Sequence, residues 1–371
     1  MINSILNWKG TIQAGLTLIL VGWATPVLTS PIHVIYDVRG NVQIKKAEWK
    51  SFDKAESGIL SGEDKVKLGS NASLMIYCSN QNKWAVEGPG TYLVSQGCPE
   101  GEDVLRLCPS CNNDSIRGLV QIKEERLKQL PYIISPRNTN VFNNSLTIRW
   151  NAVSGATQYK VKVGDWERET KKTQILYDGE LKPGEWYDII VEADNGVTSK
   201  DEYEDGGRNI WFTVLEDEKA KVLLEQVALI KRQELSREQE GFVLAYFYRG
   251  NELNFEAIQL LERLVKSESQ IARVYQLLGD IYLQVGLSLM AKEVYQQGLG
   301  LTVTVEEEKK EVKAMIQWGL GVVEYLLGNM DEAVEWLEKA KVNYLALGKQ
   351  LNTEEKKLID DASYRKENIR R

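Results

Sequence analysis

The sequence predicts a multidomain chain in which two all-β domains precede an all-α repeat solenoid, and three observations carry that prediction. Short extended runs broken by Gly, Asn and Pro turns continue as far as Val214. At Glu216 the composition changes, and Gly and β-branched runs give way to Ala, Leu, Glu and Lys with a helical period. Within the helical part, a set of small and aromatic residues recurs after 34 residues. The chain of 371 residues accommodates two or three domains. Its hydrophobic fraction of 43% and charged fraction of 27% exclude wholesale disorder and a multi-span membrane protein.

Two counts limit the chemistry. A net charge of -7 offers no basic footprint, so no nucleic-acid partner is expected. His33 is the one histidine, which rules out two-His zinc motifs and leaves a Ser-His or Cys-His dyad only that residue to recruit. Among 53 acidic residues no pair stands out by spacing as a hydrolase pair. The chain is read as non-enzymatic, with no cofactor and no metal.

Residues 10–36 contain no Asp, Glu, Lys or Arg, and Ala14 to Ala24 is dense in Leu, Ile, Val and Trp. This reads as the apolar part of a signal peptide over residues 1–30, with Gly22 and Ala24 at a cleavage spacing. An uncleaved anchor is the alternative, because the uncharged window reaches the ~20 residues a bilayer core requires. Either way the body is expected in the periplasm or cell envelope. In such an oxidising compartment Cys78, Cys98, Cys108 and Cys111 are disulfide candidates. A bridge from Cys78 to Cys98 would contribute ~3 kcal/mol by closing its loop. Cys108 and Cys111 form a C-x-x-C, open to a small disulfide loop, half a zinc site or a redox dithiol.

The first β domain is expected over residues 32–118. Leu74, Ile76 and Cys78 alternate with Ser73, Met75 and Tyr77 as in a half-buried strand. Leu60-Ser61-Gly62-Glu63-Asp64, followed by Gly69-Ser70-Asn71-Ala72, resembles the FecR-like periplasmic domain. The family's founding members place a cytoplasmic sigma-factor-controlling segment before it. Thirteen residues precede the apolar stretch here, so the resemblance implies a sensing or wall-proximal binding module.

A helical connector near residues 123–129 leads to a second β domain over residues 131–215. Expected strands cover Leu146 to Trp150, Tyr159 to Val163, Ile175 to Tyr177, Trp186 to Val191 and Ile210 to Val214, with Pro183-Gly184 and Asn195-Gly196 as turns. Arg149-Trp150-Asn151, Gly155-Ala156, Tyr159 and Tyr187 resemble a fibronectin type III or related immunoglobulin-like domain. Trp166, Trp186 and Trp211 are expected mainly in its core, with a sugar platform as the alternative.

Residues 216–349 carry the repeats. Ala220, Leu223, Leu224, Val227 and Ile230 share one face of a capping helix. Ala257 and Ala291 are 34 apart, and Ala245 and Gly279, Tyr248 and Tyr282, and Leu261 and Tyr295 keep the same interval. Gly321, Ala333, Leu337 and Ala340 mark a third copy 42 residues on. This resembles the tetratricopeptide repeat, whose first helices line a concave groove. The resemblance places Phe242, Tyr246, Arg249, Arg273, Gln276, Asp280, Trp318, Val322 and Tyr325 in that groove and implies a protein or peptide partner. Trp318 and Tyr325 are alternatively a cover for the third-helix junction. The charged residues 353–371 are expected as a solvated C-terminal helix.

The order of these parts, together with Leu130-Pro131-Tyr132-Ile133-Ile134-Ser135-Pro136-Arg137, resembles a family of exported cyanobacterial proteins. The function it implies is a non-enzymatic scaffold whose groove binds a partner in the cell envelope. The alternative is a cell-wall or polysaccharide-binding, sensing protein acting through the β domains.

Overall fold

The computed structural model describes residues 33–47, 49–55, 58–78, 83–98, 124–202, 210–232, 235–302 and 307–369. The expected leader, Cys108 and Cys111 lie outside them. The described residues form β domains followed by an α solenoid.

In the first β region, strands β1 (His33–Arg39), β4 (Gly58–Leu60), β6 (Ser73–Tyr77) and β7 (Lys83–Glu87) form one antiparallel sheet in the order β4-β1-β6-β7. A second sheet, β3-β2-β5-β8, contains β2 (Val42–Lys45), β3 (Asp53–Lys54), β5 (Lys65–Leu68) and β8 (Gly90–Leu93). Alternation places Val66 and Leu68 inward and Lys65 and Lys67 outward. The Gly62-Glu63-Asp64 turn is tied from within. The buried Asp64 carboxylate accepts hydrogen bonds from Ser61 N at 2.8 Å, Ala47 N at 2.9 Å and Lys46 Nζ at 3.0 Å. Cys78 and Cys98 form a disulfide after β6 and after the helical turn α1 (Val94–Gly97), with both residues fully buried.

A short helix, α2 (Glu124–Leu127), precedes the second β region. One sheet there has the order β10-β16-β15-β12-β13, built from β10 (Thr139–Val141), β12 (Tyr159–Val163), β13 (Trp166–Thr170), β15 (Trp186–Ala193) and β16 (Ile210–Val214). The other is β14-β11-β9, from β9 (Ile133–Ser135), β11 (Thr147–Trp150) and β14 (Gln174–Leu176). Strands β10 and β16 run parallel, and the remaining pairs are antiparallel. Trp150 packs in the core, edge-on to Tyr159 at 5.5 Å, and the Tyr159 hydroxyl accepts from Val153 N.

The helical part begins with α3 (Asp217–Lys231). Three hairpins follow: α4 (Arg237–Gly250) with α5 (Asn254–Lys266), α6 (Ala272–Gln284) with α7 (Ser288–Gly300), and α8 (Glu307–Leu326) with α9 (Met330–Ala346). A final helix, α10 (Thr353–Ile369), closes the stack. It is less solvated than its charge suggests, because Glu355, Leu358, Ile359 and Ala362 are buried. Ser236 and Gln239 form a capping box at the start of α4, and Asn352 and Glu355 exchange the same pair of bonds at the start of α10.

Glycine sets the seam between hairpins. The fully buried ring of Tyr295 on α7 lies between Gly279 on α6 and Gly319 on α8. A Cβ at either glycine would stand 2.4 Å from that ring. The ring is fixed, since its hydroxyl donates to Asp280 Oδ1 at 2.7 Å.

The sandwich and the solenoid share their cores. Phe255 of α5 packs in the sandwich cluster, and Phe142, next to β10, packs in the solenoid cluster, edge-on to Tyr248. Glu256 accepts from Phe142 N at 3.2 Å, and Arg149 is bonded to both oxygens of Glu262. Arg137 is buried, donates to the carbonyls of Ile133 and Val285, and forms a bidentate pair with Glu202. The carbonyl of Glu252, held at φ 61°, accepts from Asn140 N and from the Thr139 hydroxyl.

The seam gives a direct expectation. Gly279→Ala or Gly319→Ala should cost ~1 to 3 kcal/mol through overpacking against Tyr295. Gly241→Ala is the control, because its Cβ would meet Leu264 at an ordinary 3.4 Å. It should be neutral or stabilising by up to ~1 kcal/mol through helix propensity. Urea unfolding measures all three.

Burial also makes stability depend on pH. It pushes the Glu256 carboxyl up to about 8, against the bond from Phe142 N, and Glu355 up to about 8, against the bond from Asn352 N. A folded-state pKa above the unfolded one gives stability that is complete below the ordinary carboxylate value near 4.5 and is lost as pH rises through 8. His33 acts in the opposite sense, since burial holds it down to about 4 and acid therefore works against the first β region. The clean comparison is Glu256→Gln against the parent. The variant should gain on the parent by ~1 kcal/mol or more between about pH 5 and pH 8.5 in thermal or urea unfolding; an equal gap at both pH values would contradict the assignment.

Candidate functional site

The nine positions assigned to the groove lie on α4, α6 and α8, the first helix of each hairpin, and all nine are buried. The most exposed is Arg273, at 7%. Three groups account for this burial.

On α4, Phe242 and Tyr246 meet edge-on at 5.0 Å. The same cluster contains Val34 of β1, which is fully buried, so the first β region covers this end of the helical face.

On α6, Asp280 is the centre of a polar knot. It accepts from Gln276 Nε2 at 2.5 Å and from the Tyr295 hydroxyl, and Arg249 Nη1 lies 3.4 Å away. Burial pushes the Asp280 carboxyl up to about 6, with Arg249 and the hydrogen bonds opposing that rise. Arg273 lies 3.4 Å from Glu311, which also meets Lys349 at 2.5 Å. Burial works against the Glu311 charge, but the fields of Arg273 and Lys349 outweigh it and hold the carboxyl below its ordinary value.

On α8, Trp318, Val322 and Tyr325 are buried, and Tyr325 is covered from the C-terminal side. The Tyr325 hydroxyl donates to Asp361 of α10, and Arg365 lies over the Tyr325 ring while bonding Asp361 at 2.7 Å.

The first group is an aromatic contact, and the other two are ionic and hydrogen-bonded ties between neighbouring hairpins and to α10. None pairs a nucleophile with a base within reach. The one group of metal-ligating side chains found close together among the described residues is His33, Cys78 and Cys98. Its two sulfurs are joined to each other, so they are not available as thiolates.

The three tryptophans weighed as core or sugar platform, Trp166, Trp186 and Trp211, divide. Trp166 is half-buried against Tyr177 at 5.0 Å. Trp186 is 55% exposed and does not serve the core. Its strand alternates, so Ile189 and Val191 face inward while Trp186 and Asp188 face outward. The pairings Trp186 with Thr213 and Asp188 with Trp211 make Trp186 and Trp211 diagonal neighbours on that outer face.

Comparison with known proteins gives a limited match. Residues 272–302, the α6 and α7 hairpin, match the tetratricopeptide repeat model. No curated protein matches the chain. Among solved structures, the crystal structure of MamA is similar over 41% of this chain and 93% of that one, at 19% sequence identity and a TM-score of 0.28. The repeat assignment therefore rests on residues 272–302 and on the stacked hairpins themselves.

Proposed function

We propose that the chain is a non-enzymatic scaffold, exported to the cell envelope, whose helical repeats bind a protein partner along the face carried by α4, α6 and α8. The observation that carries this reading is the repeat hairpin at residues 272–302, stacked between two further hairpins. Aromatic and Arg side chains on the first helices supply the residue types that dominate protein interfaces. Those side chains are closed in by β1 and α10, so a partner would reach them by displacing a cover. Helix α10 meets Tyr325 through polar contacts and the helical core through the buried Leu358, Ile359 and Ala362, so opening this cover means lifting both. The Cys78 to Cys98 disulfide supports the exported location.

One observation favours a second reading. The outward pair Trp186 and Trp211, diagonal neighbours on one sheet face, has the composition of a sugar-stacking platform. A polysaccharide of the cell wall is its proposed ligand.

A single panel distinguishes the two. Asp361→Ala loosens α10 and should raise the fraction of full-length chain crosslinked to its protein partner in envelope extract, because the competent state becomes more populated. Trp186→Ala with Trp211→Ala should leave that crosslinking unchanged. If Asp361→Ala changes nothing while the tryptophan pair abolishes co-sedimentation with insoluble cell-wall polysaccharide, the second reading replaces the first.

A further inference from the structure

We propose that the hollow between α3, α4 and α5 is a binding site for a small organic anion, one carboxylate or phosphate head on a short aliphatic body. Its volume is about 370 Å³, within the range of small-molecule sites. It shares no residue with the nine positions of the α4, α6 and α8 face, so the proposal stands independently of the partner-binding reading.

The charges around it set the sign of the ligand. Lys231 at the end of α3, Arg237 at the start of α4 and Arg263 on α5 line the hollow and are exposed. Among the described residues, none of them has a carboxylate within ion-pair reach. Elsewhere the chain pairs several of its arginines: Arg137 with Glu202, Arg149 with Glu262, Arg249 with Asp280, and Arg273 with Glu311. Three cations around one concavity, in a protein of net charge -7, concentrate anions there against the overall field.

Two carboxyls also line the hollow, Glu240 and Glu256. Glu256 contributes little negative charge at neutral pH, because burial pushes its carboxyl up to about 8. Its Oε2 is buried and has no hydrogen-bond partner among the described residues, so no bond at that oxygen stabilises the carboxylate form. The lining thus carries three cations against the one carboxylate of Glu240.

The walls set the body of the ligand. Leu244, Leu260 and Leu264 supply an apolar floor, and Gly241 leaves that floor open by having no side chain. Tyr248 and Gln259 add a hydroxyl and an amide that can orient the head. Inorganic phosphate would use the cations alone, whereas an alkyl anion would use the cations and the floor together.

The test uses the full-length chain at low ionic strength and isothermal titration with inorganic phosphate and with octanoate and octyl phosphate, the two octyl anions below their micelle concentrations. The octyl anions should bind at least about tenfold more tightly than inorganic phosphate, and the preferred octyl head distinguishes a carboxylate source from a phosphate one. Arg237→Ala with Arg263→Ala, both at exposed positions, should weaken octyl binding by about tenfold or more. Leu260→Trp, which fills the hollow, should abolish it, and Asp361→Ala should leave it unchanged. The proposal is overturned if no octyl anion binds. It is also overturned if octyl phosphate binds no better than inorganic phosphate, or if the double arginine variant binds as the parent does.

Discussion

The fixed point of the molecule is the exchange of side chains between the second β region and the helices. Phe255 leaves the helices for the sandwich core, and Phe142 leaves the sandwich for the helical core. Burial of each ring stabilises by ~1.5 to 3 kcal/mol, which separation of the two parts would forfeit. Arg137 makes separation costlier still. Its guanidinium is removed from water and satisfied jointly by Glu202 and by carbonyls of the sandwich and of the turn after α6. Pulling the helices away would leave a buried charge short of a partner, which is far less favourable than never burying it. The repeats are therefore built on the sandwich and are not strung from it by a linker.

That union explains the closed helical face. The hairpins approach closely because Gly279 and Gly319 leave a slot for Tyr295, and the Tyr295 hydroxyl in turn holds Asp280 in the knot with Arg249 and Gln276. With the helices so placed, Val34 covers one end of the face and α10 the other. The polar residues expected to await a partner instead hold the hairpins in register. The same placement leaves the outer hollow beside α3 open, lined by Lys231, Arg237 and Arg263.

The sequence revealed the elements whose pattern is local. Tyr159, Val161 and Val163 alternate cleanly, and the sandwich strand they predict spans Tyr159–Val163. The interval between Ala257 and Ala291 marks two hairpins, and the family match at residues 272–302 falls on the second of them. Three strands of the sandwich were not legible. Ile133–Ser135 and Thr139–Val141 are too short to show a period, and Trp166–Thr170 is an edge strand of mostly charged residues. The helix and register of the groove positions could be read, but their burial could not, because the covering residues Val34 and Asp361 come from opposite ends of the chain. Arg137 stood in a noticed segment without a role, since its partners lie 65 and 148 residues away. Lys231, Arg237 and Arg263 carry no signal of their own, as only the packing of three helices brings them around one hollow.

The central claim is that sandwich and helices form one cooperative unit through this exchange. Hydrogen exchange followed by mass spectrometry on the full-length chain, comparing the parent with Phe255→Ala, tests it most directly. The substitution is made in a helix, and the decisive readout is in the sandwich. The account predicts that protection falls together in α5, α6, β11 and β12. Loss of protection confined to the helices, with β11 and β12 exchanging as in the parent, would contradict it.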